Sequence, residues 1–186
     1  TSMSNGIQRF YNYELGKNNV DSVNKIYITA VYIQFALVLL VVLLAETIGV
    51  WYLYNKMVIP MERFNAAQWI FHLSVLSFAI VIMQVPYSAA VMAHEKMNFY
   101  AIVSIIDALL KLIFVIVLQY IESDKLIFYG FLMIIINSIN FLLNYLYCKF
   151  NFTEIKFKFL YDKELLKKML SFSGWNIFGS CAYMIK

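Results

Sequence analysis

Apolar positions in this chain fall in long, nearly unbroken runs rather than in strict alternation. Residues 26–54, 67–93, 99–121 and 126–148 form four such runs, and 171–185 opens a fifth. A helix needs about 20 predominantly apolar residues to cross a bilayer, so the first four are long enough and the fifth is short. Membrane β-strands would show roughly ten-residue segments of alternating character instead. The pattern predicts an all-α, polytopic transmembrane helix bundle. It divides the chain into a loop at 1–25, a four-helix membrane part at 26–148, a linker at 149–170 and the start of a further membrane helix at 171–186.

Polar residues inside three of the runs recur at helical spacing. Ser104, Asp107 and Lys111 follow at i, i+3, i+7, and Asn137, Asn140 and Asn144 repeat that spacing. Ser77, Gln84 and Ser88 fall at i, i+7, i+11, with Pro86 interrupting the backbone ladder beside them. Each set shares one helix face. A lone charge at the centre of a membrane helix costs on the order of 2.5–3.5 kcal/mol on insertion scales, so Asp107 and Lys111 are expected to pair and face the bundle interior. Three polar stripes with greasy backs predict helices arranged around a hydrophilic interior. The plainer reading is that amides and hydroxyls act as interhelical glue, and the charges as a structural ion pair. Glu46, close to Trp51 and Tyr52, is expected at the outer interface, where Trp51, Tyr52 and Tyr54 fit an aromatic belt.

Composition excludes a small soluble globule. The chain is 62% hydrophobic and 14% charged, with a mean hydropathy of +0.71, whereas soluble domains carry roughly 45–50% apolar and about 25% charged residues. The net charge of +4 matters less than its placement. Ten bases (Arg9, Lys17, Lys25, Lys96, Lys149, Lys156, Lys158, Lys163, Lys167 and Lys168) fall on one side of the membrane, against three (Lys56, Arg63 and Lys125) on the other. The excess of Lys and Arg in cytoplasmic loops then puts the start of the chain and the 149–170 linker in the cytoplasm.

In that linker Phe157, Phe159 and Leu160 interleave with Lys156 and Lys158, and 162–170 reads as a basic helix. It is expected to lie along the inner membrane surface against anionic headgroups, rather than to bind nucleic acid. The Asn151-Phe152-Thr153 sequon has no consequence on that side. Cys148 and Cys181 lie in or beside membrane runs without framework spacing and read as small apolar residues.

The one catalytic-looking string is AHEKMN at 93–98. A zincin needs a second histidine one turn after the first, and that position holds Asn98. No metal, cofactor or enzyme activity is expected. The chain opens TSMSNG, without an initiator Met or a signal-peptide design, and closes soon after its fifth run begins. It reads as an internal piece of a longer transporter-sized chain.

The strings ETIGVWYLYNKMVIP at 46–60, MERFNAAQWIFHLSVLSF at 61–78 and VPYSAAVMAHEKMNFYAIVSIIDALLKL at 85–112 resemble bacterial polysaccharide-export flippases. These are the O-antigen and lipopolysaccharide transporters of the multidrug/oligosaccharidyl-lipid/polysaccharide superfamily. QRFYNYELGKNN at 8–19 resembles that family's loop between helices two and three, and SFSGWNIFGS at 171–180 the opening of its seventh helix. The resemblance implies an incomplete MATE-like lobe in which the four runs stand for helices three to six. It implies a multi-pass protein of the bacterial inner membrane that flips a lipid-linked oligosaccharide, a glycan on polyprenyl pyrophosphate. Transport of this kind rocks two lobes around a central cavity, so the fragment alone is not expected to transport.

Such a substrate requires a wet, partly cationic cavity. Lys111, with Arg9 at the cytoplasmic mouth, is the expected phosphate contact, and Asp107 tunes Lys111 or couples to a proton or sodium ion. Ser104, Ser88, Gln84, Asn137, Asn140 and Asn144 complete the candidate pathway, the amides suiting sugar hydroxyls. One rival is a cation-coupled multidrug antiporter of the same superfamily, which would want carboxylates without the compensation that Lys111 gives Asp107. The other is a non-transporting membrane scaffold subunit, which would need scattered glue residues and no shared polar interior.

Overall fold

The computed structural model describes residues 2–17, 19–121, 124–152 and 162–184. No strand occurs among them, and seven α-helices follow in order. α1 is Ser2–Leu15. α2, Val20–Leu44, runs through a π-helical turn at Ala45–Gly49 into α3, Val50–Asn55. A 3₁₀ turn at Met61–Arg63 leads into α4, Phe64–Ala93; α5 is Met97–Gln119, α6 Lys125–Asn151 and α7 Lys163–Met184.

Four helical stretches are long and apolar enough to cross a membrane: Val20–Asn55, Met61–Ala93, Met97–Gln119 and Lys125–Asn151. The protein is a multi-pass membrane protein. Its outer surface agrees with lipid as solvent. Leu39, Leu40, Leu43 and Leu44 on α2 and Ile105, Leu109, Leu112, Ile113 and Ile116 on α5 are all exposed, a larger apolar patch than water tolerates. Packing runs α2, α4, α6, α5 across the bundle, and α1 lies against α2, α4 and α7.

α4 and α6 form the tightest pair, and they run parallel. Asn137 of α6 meets Ser77 of α4, and one register further Cys148 Sγ donates to the Tyr87 carbonyl at 3.5 Å. Gly130 sets their closest approach: a Cβ there would fall 2.8 Å from both Ile70 Cδ1 and Leu73 Cδ1. Arg63 Nη1 donates to Asp124 Oδ2 at 3.1 Å, tying the start of α4 to the residue whose other carboxylate oxygen caps Leu126 at the start of α6. Pro86 is buried inside α4 without ending the helix.

A cluster of buried side chains sits at the end of the bundle where Lys25, Lys96 and Lys149 lie. Ile7 and Tyr11 of α1, Ile26 to Ile33 of α2, Tyr87 to Ala93 of α4, Cys148 and Phe152 meet there, with Met169 of α7. Ala89, Ala90 and Val91 are fully buried, and small side chains let the backbones close in where lipid offers no hydrophobic drive between helices.

Two boundaries differ from the sequence reading. Residues 1–25 are not a loop: α1 fills most of that stretch, and α2 starts at Val20 because the Asn19 side chain accepts from Ser22 N at 3.2 Å. Met3, Ile7, Phe10, Tyr11 and Leu15 have the spacing of one helix face, which buries Ile7 and Tyr11. The basic stretch 162–170 and the apolar stretch after it form one helix, α7, since no breaker separates them and Asp162 caps Glu164 and Leu165 at 3.1 and 3.0 Å. The expected aromatic and basic linker positions Lys156, Phe157, Lys158, Phe159 and Leu160 lie outside the described residues, as does the side chain of Cys181.

Candidate functional site

α6 brings polar residues together on two of its sides. Toward α5, Asp107 accepts from two donors: Lys111 Nζ one helical turn on, at 2.7 Å, and Asn140 Nδ2 of α6, at 2.6 Å. The i, i+4 spacing puts Lys111 within reach of its carboxylate, and the antiparallel crossing of α5 over α6 supplies the amide. Asn140 is buried, and its Oδ1 has no hydrogen-bond partner among the described residues. Asn144 Nδ2 donates to the Asn140 backbone carbonyl at 2.9 Å and holds the next turn in register. Toward α4, Asn137 Nδ2 donates to Ser77 Oγ at 2.6 Å.

The polar residues therefore meet pairwise across two seams, not around one shared chamber. On α5 the expected inward face is split. Asp107 reaches α6 and Val103 is buried, while Ser104 is exposed and the Lys111 side chain keeps 48% of its accessible surface. The reason is geometric: at 3.6 residues per turn Ser104 and Lys111 sit up to roughly a quarter-turn from the meridian that packs. The Ser104 hydroxyl donates to its own helix, to Tyr100 O at 2.9 Å, and Ser88 does the same to Val85 O at 3.1 Å. Gln84 is half-buried on α4, two turns beyond Ser77. Arg9 is on α1 at the basic end, its guanidinium 4.6 Å over the Phe172 ring of α7.

A carboxylate–imidazole contact joins α4 to the turn that follows α2. His72 Nδ1 of α4 lies 3.0 Å from Glu46 Oε1, which stands in the π-helical turn between α2 and α3. Gly49 ends the same turn and admits the Phe71 ring so closely that a Cβ would sit 2.6 Å from its Cζ. Glu46, expected at the outer interface, takes a histidine on the neighbouring helix as partner. Nothing in the local sequence couples residues 26 positions apart. His94, from the rejected zincin string, donates to Ala90 O at 2.8 Å and stacks on Phe152 with centroids 3.9 Å apart.

Chemically, the α5–α6 crossing offers one half-exposed cation, one carboxylate shared between two donors, and one buried amide oxygen still able to accept a hydrogen bond. That set suits a ligand carrying both an anionic group and hydroxyls. The chain matches no protein-family model, no curated protein and no solved structure.

Proposed function

We propose that the chain is part of a bacterial inner-membrane transporter that moves a lipid-linked oligosaccharide across the bilayer. The observation that supports this reading most is the Asp107 carboxylate bridging Lys111 and Asn140 inside otherwise apolar helices. Polar groups at membrane depth are costly and characteristically line substrate or ion paths. Lys111 meets the pyrophosphate, Asp107 orients Lys111 and supplies a carboxylate to a coupling proton or sodium ion, and Asn140 Oδ1 takes a proton donor from a sugar hydroxyl. Asn137 and Asn144 each commit one amide N–H within the bundle. Ser104 and Ser88 contribute least, their hydroxyl protons being held by backbone carbonyls.

The test is Lys111→Ala in the full-length protein, read as restoration of surface polysaccharide in a flippase-null strain. Export should fall severalfold or more at unchanged protein level. Wild-type export at wild-type abundance would remove Lys111 and, with it, the central support for this function.

The scaffold reading has one specific observation in its favour: Asn137 and Ser77 close on each other, as glue residues would. The double variant Asp107→Leu/Lys111→Leu separates the two. A scaffold keeps its role once the charges leave as a pair, whereas a transporter of an anionic glycan does not.

A further inference from the structure

At the basic end of the bundle α1 and α7 diverge around an open cleft of about 890 Å³. Its character changes with depth. Lys167 and Lys168 stand just over one turn into α7, near the end capped by Asp162. Phe172 and Trp175 follow one to two turns deeper on the same side, where Phe10 of α1 meets Phe172 edge-on at 5.9 Å. Arg9 bridges the two zones, with its guanidinium over Phe172 and its charge in the cleft. The one acid in the lining is Glu164, so three bases face it. At 1.5 Å per residue, Lys168 and Trp175 are about 10 Å apart along the axis, the distance from a headgroup to the upper acyl region.

We propose that this cleft holds one anionic phospholipid of the cytoplasmic leaflet, its phosphate against Arg9, Lys167 and Lys168 and its upper acyl chain along Phe10, Phe172 and Trp175. Charge complementarity selects an anion, and the aromatic floor below the bases selects an anion with a tail; a free phosphate would leave the floor uncovered. Basic pockets between helices on the cytoplasmic side are where anionic headgroups bind. The inference does not rest on the transport reading, since the residues of the α5–α6 crossing take no part in it.

Trp175 supplies the readout. In a version of the protein whose other tryptophans, Trp51 and Trp69 among them, are phenylalanine, the protein is placed in phosphatidylcholine vesicles. These carry a low fraction of brominated phosphatidylglycerol or, in the matched arm, brominated phosphatidylcholine. Brominated phosphatidylglycerol should quench Trp175 at about one tenth the mole fraction that brominated phosphatidylcholine requires. Arg9→Gln/Lys167→Gln/Lys168→Gln should erase that preference, and the exposed pair Lys167→Gln/Lys168→Gln alone should reduce it severalfold, which keeps the test alive if the triple variant fails to fold. Lys25→Gln/Lys96→Gln, at the same end but outside the cleft, should leave it intact. Equal quenching by the two lipids, or equal loss from the Lys25/Lys96 pair, overturns the proposal. So does relief of quenching by a polyprenyl phosphate at far lower fractions than unlabelled phosphatidylglycerol, which would make the cleft a carrier-lipid site.

Discussion

Against α4, helix α6 presents Gly130 beneath the Ile70 and Leu73 side chains and Cys148 against the Tyr87 carbonyl, and closes its polar contact with a neutral couple, Asn137 and Ser77. Against α5 it presents Asn140 to a carboxylate that is also tied to a lysine, in a seam where Val103 is the one buried residue that α5 contributes. The first seam is packed and uncharged; the second is thinly packed and carries the Asp107–Lys111 pair. If holding α5 were the task, apolar residues would do it at lower cost, because replacing a paired charge by well-packed hydrophobic residues is often neutral or stabilising. Charge in the weaker seam is better explained by a role that a hydrophobic pair could not perform. The looseness is useful too, since a helix that touches the bundle along one narrow strip is the one free to move.

Breaking the charged seam one partner at a time should have the largest effect. Lys111→Leu leaves Asp107 at membrane depth with only the Asn140 amide, at a cost of about 2–3 kcal/mol. The double variant Asp107→Leu/Lys111→Leu should recover most of that loss, although each single change is destabilising. Unfolding in mixed micelles, read by helicity, gives all three values. A double variant as unstable as the sum of the singles would mean that the two charges do not compensate each other.

Next comes the packed seam. Gly130→Val pushes methyl groups into Ile70 and Leu73, whose side-chain carbons already lie 2.8 Å from where a Cβ would stand. Overpacking of this kind costs about 1–3 kcal/mol. Ala108→Val, on the exposed side of α5, should stay within about 0.5 kcal/mol of the parent. Equal losses at the two sites would abolish the distinction between the seams.

The neutral contact across the packed seam should matter less than its neighbourhood suggests. Asn137→Ala removes one interhelical hydrogen bond, worth about 0.6 kcal/mol in membrane proteins on average. Ser77→Ala should cost a similar amount, and the double variant little more than either, because both lose the same bond. The same unfolding series measures it; additive losses would show that each residue has a separate partner.

These comparisons also show what could be read from the residues alone. The four spans were legible because about 20 apolar residues in a row have few alternatives, and the Asp107–Lys111 pair because i, i+4 neighbours meet on any helix. The Asn19 cap and the apolar face of α1 were present in the sequence too, but a high proportion of polar residues disguised them as a loop. The partners across helices were not legible. Asp107 with Asn140, Ser77 with Asn137 and Glu46 with His72 depend on which helices touch and at what height, and periodicity fixes a face without naming the helix opposite it. The π-helical turn at Ala45–Gly49 adds another shift of face that a 3.6-residue repeat does not contain.

Ser104 gives the smallest expected effect and the sharpest check on which part of the α5 stripe carries function. It shares the polar face of Asp107 and Lys111 by spacing, yet it is exposed and its proton goes to the Tyr100 carbonyl of its own helix. Serine bonded back to its own backbone contributes little to helix stability and forms no bridge to another element. Ser104→Ala should therefore change stability by no more than about 0.5 kcal/mol and, on the proposed transport function, leave polysaccharide export at the parental level, while Lys111→Ala removes most of it. An export defect in Ser104→Ala as deep as that of Lys111→Ala would mean that the working form of α5 is rotated from the one seen here, bringing Ser104 and Lys111 together to face α6.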